Sequence, residues 1–372
     1  MNAPAKPAHL APPVVDFELD GRPAQARAGE TILQAADRLG VPIPRLCYTD
    51  GLRADGNCRA CVVEIEGERT LAPSCCRAVQ PGMKVKAGSE RARKSQQMVL
   101  ELLLADLPTE GYKWLDDDAA APHGELSQWA AQAGVQVRPA LQALRRAEPA
   151  PDVSHPAMAV NLSACIQCTR CVRACREAQV NDVIGYAGRG SHARIVFDLE
   201  DPMGASSCVA CGECVQACPT GALMPKTQLG PQRVDRQVDS VCPFCGVGCQ
   251  ISYNVKDGRI VSVSGRDGPA NEKRLCVKGR FGFDYVASPD RLTVPLIRKP
   301  GVAKDPAHCE QPPDWREVFR EASWEEALDL AAGQLVALKQ QHGARALAGF
   351  GSAKGSNEEA YLFQKLVRTG FG

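Results

Sequence analysis

The chain has 372 residues, and 44 Lys and Arg stand against 43 Asp and Glu for a formal charge of +1. That balance gives no case for nucleic acid or an anionic membrane as the main partner. A composition of 44% hydrophobic and 23% charged residues excludes wholesale disorder, and no run approaches the roughly 18 apolar residues that span a bilayer. The 18 cysteines are the exception. The chain is far too long to be a small secreted disulfide scaffold. Its opening segment, MNAPAKPAHLAPP, has neither an apolar core nor an Arg-Arg pair. The expectation is a cytoplasmic protein whose reduced, clustered thiols bind metal.

In chain order, residues 1–13 read as a disordered Pro/Ala tail. Residues 14–88 read as a small α+β unit. VVDFEL (14–19) and the segment around 24–28 flank Asp20-Gly21, which predicts a hairpin. Thr31 can cap a helix, ILQAADRLG, that stops at Gly40 and Pro42. CVVEIEG (61–67) and MKVKA (83–87) read as strands. Ser89 opens a longer helix with Met98, Val99, Leu102 and Leu103 as its apolar set, and Pro108 ends the run. Residues 89–155 form a helical connector, with helical stretches around 125–133 and 139–147. Residues 156–230 and 236–290 carry the later cysteine blocks. After Ser323 come an amphipathic helix (WEEALDLAAGQLVALKQQHG), a buried strand (ALAGF) and a further helix (NEEAYLFQKLVRTG). Residues 291–372 thus open an α/β layer domain.

The strongest motif is C-x2-C-x2-C-x3-C, present twice. Cys165, Cys168, Cys171 and Cys175 recur 43 residues later as Cys208, Cys211, Cys214 and Cys218, the mark of a duplicated unit. Three thiolates at this spacing wrap one iron–sulfur cube, and the fourth cysteine ligates the other. One 4Fe-4S cluster is therefore assigned to Cys165, Cys168, Cys171 and Cys218, and a second to Cys208, Cys211, Cys214 and Cys175. Zinc ribbons use pairs of cysteines, not runs of three. Pro219 follows Cys218 as the bacterial pattern expects, whereas Arg176 follows Cys175.

VCPFCGVGC followed by Cys276 supplies another four thiolates: Cys242, Cys245, Cys249 and Cys276. A third 4Fe-4S cluster is the expectation, with zinc the rival on spacing alone. Gly246 and Gly248 let the backbone fold tightly on the sulfurs. The first block, Cys47, Cys58, Cys61 and Cys75, departs from the plant-type spacing but points to a 2Fe-2S cluster. Cys76 competes with Cys75 for the fourth position; Cys75 is preferred, with Cys76 a packed free thiol and Cys309 a lone structural one. Four clusters of net charge about −2 each move the chain to about −7. Arg59, Arg170, Arg173, Arg176 and Lys278 are candidates to screen that charge, though Arg170 and Arg173 read equally well as solvated surface cations. GFGSAKG (349–355) resembles a phosphate-binding turn, but its spacing is poor evidence for NAD. His123, His155 and His192 read as structural or surface residues. Nucleophile–base constellations are absent from the sequence.

With these motifs the chain resembles the N-terminal part of the alpha (large) subunit of cytosolic NAD-dependent molybdenum formate dehydrogenases. GNCRACVVEIEG resembles the 2Fe-2S domain shared with the large iron–sulfur subunit of complex I and the iron–sulfur subunits of NAD-reducing hydrogenases. NLSACIQCTRCVRACREAQVNDVIGYAGRG is similar to the two-cluster segment of the same group. VCPFCGVGC with RLCVKGRFGFDYVASPDRLTVPLIR is similar to the cluster segment that opens the formate dehydrogenase and nitrate reductase catalytic domain. The fold this implies is α+β and multidomain: a β-grasp 2Fe-2S ferredoxin domain, a two-cluster 4Fe-4S ferredoxin-like domain, then the start of a molybdopterin oxidoreductase domain with its own 4Fe-4S cluster. The resemblance further implies Lys278 as a relay between cluster and pterin. GSAKGSNEEAYLFQKLVR matches the first pterin-contacting loop, which implies Gly351 and Asn357 as cofactor-binding residues. It implies one 2Fe-2S cluster, three 4Fe-4S clusters and, in the full-length subunit, bis-molybdopterin guanine dinucleotide with molybdenum or tungsten. The implied partners are a flavin/NAD-binding diaphorase-type subunit and other formate dehydrogenase subunits. Two departures stand out. Residues 87–155 hold no cysteine, so the further cluster of complex I relatives, held by one histidine and three cysteines, is absent. The molybdenum ligand also falls outside these residues, which reads as a fragment with no catalytic residue of its own. The alternative is an electron-transfer subunit of a complex I-like or NAD-reducing hydrogenase assembly without molybdenum.

Overall fold

The first unit starts with a hairpin. Strands β1 (Val14–Leu19) and β2 (Arg22–Arg27) pair antiparallel around Asp20 and Gly21, whose φ angles are 50° and 79°. Two successive left-handed residues make the two-residue turn that matches strand twist. Helix α1 (Ile32–Arg38) follows, and Thr31 and Gln34 form a reciprocal capping box at its start. Strands β3 (Val62–Ile65), β4 (Ala72–Pro73) and β5 (Lys84–Lys86) complete a mixed sheet of order β2-β1-β5-β3-β4, with β1 and β5 parallel. Ile32, Leu33 and Ala36 of α1 share a core with Phe17, Leu19, Val63 and Val85 of the sheet. This is the expected β-grasp arrangement, and Cys61 and Cys75 belong to the same core.

The computed structural model describes residues 13–108, 124–143, 149–229, 234–305, 314–352 and 355–372. The expected tail, apart from Pro13, together with His123 and Cys309, lies outside them. Helix α2 (Glu90–Ala105) is capped by Ser89 as expected, but it turns a different face inward. Ala92, Gln96, Leu100, Glu101 and Ala105 are buried, whereas Met98 is 49% and Leu102 53% exposed. Polar groups on the buried face find partners: Gln96 donates to the Val62 carbonyl at 2.9 Å, and Glu101 accepts from Arg138 at 2.7 Å. Helices α3 (Gly124–Gln132) and α4 (Pro139–Gln142) complete the described connector. Leu100, Leu107 and Leu126 form one apolar cluster with Leu46, Ala60, Ala164 and Ala222. The connector is therefore the seam between the first unit and the duplicated one.

In the duplicated unit, β6 (Met158–Val160) pairs with β9 (Leu223–Pro225), bringing its two ends together. Between them lie α5 (Arg170–Arg173), the hairpin of β7 (Ile184–Ala187) and β8 (Arg194–Phe197), and α6 (Glu213–Ala217). A three-stranded antiparallel sheet follows, β10 (Arg236–Val241), β11 (Gln250–Lys256) and β12 (Arg259–Gly265), then α7 (Val277–Phe281).

The last described stretch has β13 (Leu296–Arg298), α8 (Trp315–Val318), β14 (Phe319–Glu321), α9 (Trp324–His342) and α10 (Asn357–Lys365). The expected buried strand at ALAGF does not form. Ala344–Ala346 is a 3-10 turn, and Phe350 is 95% exposed. A strand needs a neighbour for its backbone groups, and among the described residues none lies beside this segment. Helix α9 likewise buries no residue. Among the described residues no helix is long and apolar enough to cross a membrane.

Candidate metal centres

The duplicated motif is repeated in conformation as well as in sequence. Gln167 and Thr169 have φ angles of 55° and 60°, and their counterparts 43 residues on, Ala210 and Gly212, have 57° and 75°. A left-handed residue between successive cysteines turns backbone N–H groups inward, as in an anion-binding nest. Gln167 N–H donates to Cys165 Sγ and Ala210 N–H to Cys208 Sγ, both at 3.4 Å. The Arg170 and Glu213 N–H groups serve Cys168 and Cys211 in the same way. For Gln167, Thr169 and Ala210 the left-handed region is costly; the donors it aims at sulfur are what it secures.

The fourth cysteines are exchanged between the repeats. Cys165, Cys168, Cys171 and Cys218 line one cavity, together with Leu162, Ile166 and Thr220. Burial pushes the Cys168 thiol up to about 12, and the charges of Cys218 and Cys165 add to it. Burial raises Cys208 and Cys211 too, and for both the nearby Cys175 contributes. Cys171 and Cys214, at the centre of the unit, are raised well above the ordinary thiol value by burial. Thiols held neutral by burial become thiolates when a cation offsets the charge.

In the first unit Cys47, Cys58, Cys61 and Cys75 are joined by hydrogen bonds between the thiols themselves. Those to Cys58 and Cys75 pull Cys47 down, and that to Cys75 pulls Cys61 down. The hydrogen bonds to Cys47 push Cys58 and Cys75 up. Four thiols packed closely enough to hydrogen-bond one another are a set that fits metal binding. Gly56 has a φ of 64°, and a Cβ there would lie 2.9 Å from Cys76 Sγ. Cys76 is exposed rather than packed, and its sulfur lies 3.5 Å from that of Cys75, which is fully buried. Ser74 was not evident in the sequence. Buried beside the quartet, it donates its hydroxyl to the Cys61 carbonyl at 2.7 Å.

Cys242, Cys245 and Cys249 sit in the β10–β11 loop, where Cys242 N–H donates to the Cys249 carbonyl at 2.8 Å. Cys276 is the N-cap residue of α7. Burial raises Cys242 and Cys249, and charge on Cys276 contributes to both. Among the described residues no three His, Cys, Asp or Glu groups converge as a site for a single metal ion. The cavity bounded by four thiols and the donors aimed at sulfur fit a multi-atom iron–sulfur core.

The cations divide. Arg176 pairs with Asp182 on the surface at 2.7 Å, Arg59 donates to the Leu71 carbonyl, and Lys278 is exposed on α7. Arg170 and Arg173, readable in sequence as solvated surface, are instead 2% and 3% exposed. Arg170 holds Glu125 through two bonds of 2.7 and 2.9 Å and reaches the Leu46 carbonyl. Gly351 and Asn357, expected to face a pterin, are exposed; Asn357 opens α10, which Ser356 caps. His155 is buried, and its Nδ1 accepts the N–H groups of Ala157 and Met158.

Four domain families match the chain in succession. Residues 13–90 match the 2Fe-2S iron-sulfur cluster binding domain, and 155–224 the ferredoxin-like domain of NADH-quinone oxidoreductase subunit 3. Residues 235–288 match the molybdopterin oxidoreductase Fe4S4 domain, and 291–372 the molybdopterin oxidoreductase family. The NADPH-Fe(3+) oxidoreductase subunit alpha of Geobacter sulfurreducens is 34% identical over 366 residues. An NADH-quinone oxidoreductase subunit of Rhizobium meliloti is 33% identical over 365 residues, and the "Putative formate dehydrogenase YrhE" of Bacillus subtilis 31% over 400. Each alignment covers 96% of this chain but 39% of the relative. A chain of the NAD+-reducing NiFe hydrogenase superposes with a TM-score of 0.52 at 27% identity, covering 60% of this chain and 92% of that one. The chain belongs with the iron–sulfur, molybdopterin-type oxidoreductases that include NADH-quinone oxidoreductase subunits and formate dehydrogenase-like proteins.

Proposed function

We propose that the chain is the electron-transfer portion of the alpha subunit of a cytoplasmic, NAD-linked formate dehydrogenase. Cys47, Cys58, Cys61 and Cys75 would hold a 2Fe-2S cluster. The quartets Cys165/Cys168/Cys171/Cys218, Cys208/Cys211/Cys214/Cys175 and Cys242/Cys245/Cys249/Cys276 would hold 4Fe-4S clusters. When bound, these groups supply one-electron redox chemistry at potentials set by charge, hydrogen bonds to sulfur and burial. The whole enzyme would take two electrons and a proton from formate at a bis-molybdopterin guanine dinucleotide. Lys278, Gly351 and Asn357 lie on the segments that would face that cofactor, and a flavin/NAD-binding subunit would receive the electrons at the other end.

The observation that supports this reading is the packing around neighbouring quartets. Phe281 of α7 packs on the apolar cluster that contains Cys175 and Cys214. That cluster also contains Cys171, and Cys58 shares a second cluster with Cys165 and Cys218. That packing supports a route from Cys242–Cys276, through the Cys208 quartet, then the Cys165 quartet, to Cys47–Cys75. Apolar residues line that path, and backbone N–H groups are aimed at Cys165, Cys168, Cys208 and Cys211. The match of residues 291–372 to a molybdopterin oxidoreductase family favours this over a hydrogenase-type subunit without molybdenum.

The test is iron and acid-labile sulfide analysis of the anaerobically prepared chain, with EPR. About 14 iron atoms per chain are expected, from one 2Fe-2S and three 4Fe-4S clusters. Cys75→Ser should remove the 2Fe-2S signal and Cys76→Ser should leave it. A colourless protein holding about four zinc ions would overturn the reading. Full-length enzyme whose clusters are not reduced by formate would favour the hydrogenase-type alternative.

A further inference from the structure

Two buried arginines stand at the seams between neighbouring thiol quartets. Arg173, on α5, donates to the carbonyl of Cys47 at 2.5 Å and to that of Cys168 at 3.2 Å, one cysteine from each quartet. It also bonds the Arg53 carbonyl and pairs with Asp55 of the first unit at 3.0 Å. Arg280, on α7 four residues after Cys276, donates to the Cys211 carbonyl at 3.3 Å. It pairs with Glu213 at 3.1 Å and bonds Gln216 at 2.7 Å. Glu213 in turn accepts the N–H of Leu275, the residue before Cys276. Arg173 is 3% and Arg280 4% exposed, so solvent screens neither charge effectively.

We propose that Arg173 and Arg280 are positioning residues through which adjacent cluster sites share one electrostatic environment, each arginine setting the potentials of both sites it spans. The inference rests on the reading of the quartets as cluster sites. A guanidinium bonded to the carbonyl of a ligating cysteine places positive charge beside two centres at once. In a low-dielectric interior that charge favours the reduced, more negative state of both. The carboxylates of Asp55 and Glu213 oppose it, so removing either carboxylate should act with the opposite sign.

The experiment is an EPR-monitored redox titration of the iron-loaded full chain. In Arg173→Gln the Cys47–Cys75 and Cys165–Cys218 centres should both become harder to reduce, by about tenfold in the reduction equilibrium, or about 59 mV for one electron. The Cys242–Cys276 centre should not move. Asp55→Asn should shift the same two centres the other way, and Arg173→Lys, which keeps the charge, should lie near wild type. Arg280→Gln should move the Cys208 and Cys242 centres and spare the Cys47 centre. Wild-type potentials in both Arg173→Gln and Asp55→Asn, at wild-type iron content, would overturn the inference, as would an equal shift at all four centres. If Arg173→Gln fails to fold, Asp55→Asn with Arg173→Lys decides the matter alone. A wild-type chain without iron or sulfide would instead overturn the reading of the quartets.

Discussion

At the scale of single residues, the sites depend on backbone that few side chains accept. Gly212 has a φ of 75°, and a Cβ there would meet Arg280 Cδ at 2.2 Å and Phe281 Cε2 at 2.9 Å. Gly258 has nearly the same φ, 74°, with nothing within 4 Å. Ala at Gly258 should therefore cost only the backbone penalty of about 1 kcal/mol. Ala at Gly212 should cost clearly more, because it also displaces the seam formed by Arg280. Denaturant midpoints of the two variants measure the difference, and equal losses would show that the contact adds nothing.

At the scale of elements, α2 shows how a periodic pattern can select the wrong face. Leu100 is fully buried and joins the seam cluster, while Leu102 is half exposed. Leu100→Ala should lower stability by about 2–5 kcal/mol, and Leu102→Ala should stay within about 0.5 kcal/mol. Urea unfolding of the two variants checks the assignment. The reverse ranking would mean that the helix packs on the Met98–Leu102 face. The buried face was hidden in the sequence because Gln96 and Glu101 lie on it, and their partners, Val62 and Arg138, come from 34 and 37 residues away.

At the scale of the whole molecule, acid should loosen the join that closes the duplicated unit. His155 is buried just before β6, and its Nδ1 accepts two backbone N–H groups, which an imidazolium cannot do. Burial, aided by the charge of Lys226, lowers its pKa below 6.5. Below that value the unfolded chain binds more protons than the folded one. His155 thus stabilises the fold fully above pH 6.5, and the contribution falls as pH drops from 6.5 toward the lowered value. The urea midpoint should decline between about pH 7.5 and about pH 5.5, and His155→Gln should flatten that part of the decline. A wild-type profile with no such slope would rule out the role.

Cysteine spacing pointed to the quartets and to the exchange of Cys175 and Cys218, because runs of cysteines two or three residues apart are a local pattern; in the first block it left Cys75 and Cys76 in competition, and the structure buries Cys75 and exposes Cys76. The β-grasp hairpin and the capped α1 were legible for the same reason, since turn and cap chemistry act over two to four residues. Tertiary structure alone decided the burial of Arg170, Arg173 and Arg280, each of which has a partner between 45 and 126 residues away in sequence. It also brought Cys58 together with Cys165 and Cys218, across the apolar seam formed by Leu46, Leu100, Leu126 and Ala222. A buried charge is stable only where distant groups converge to satisfy it, and no local pattern announces that convergence.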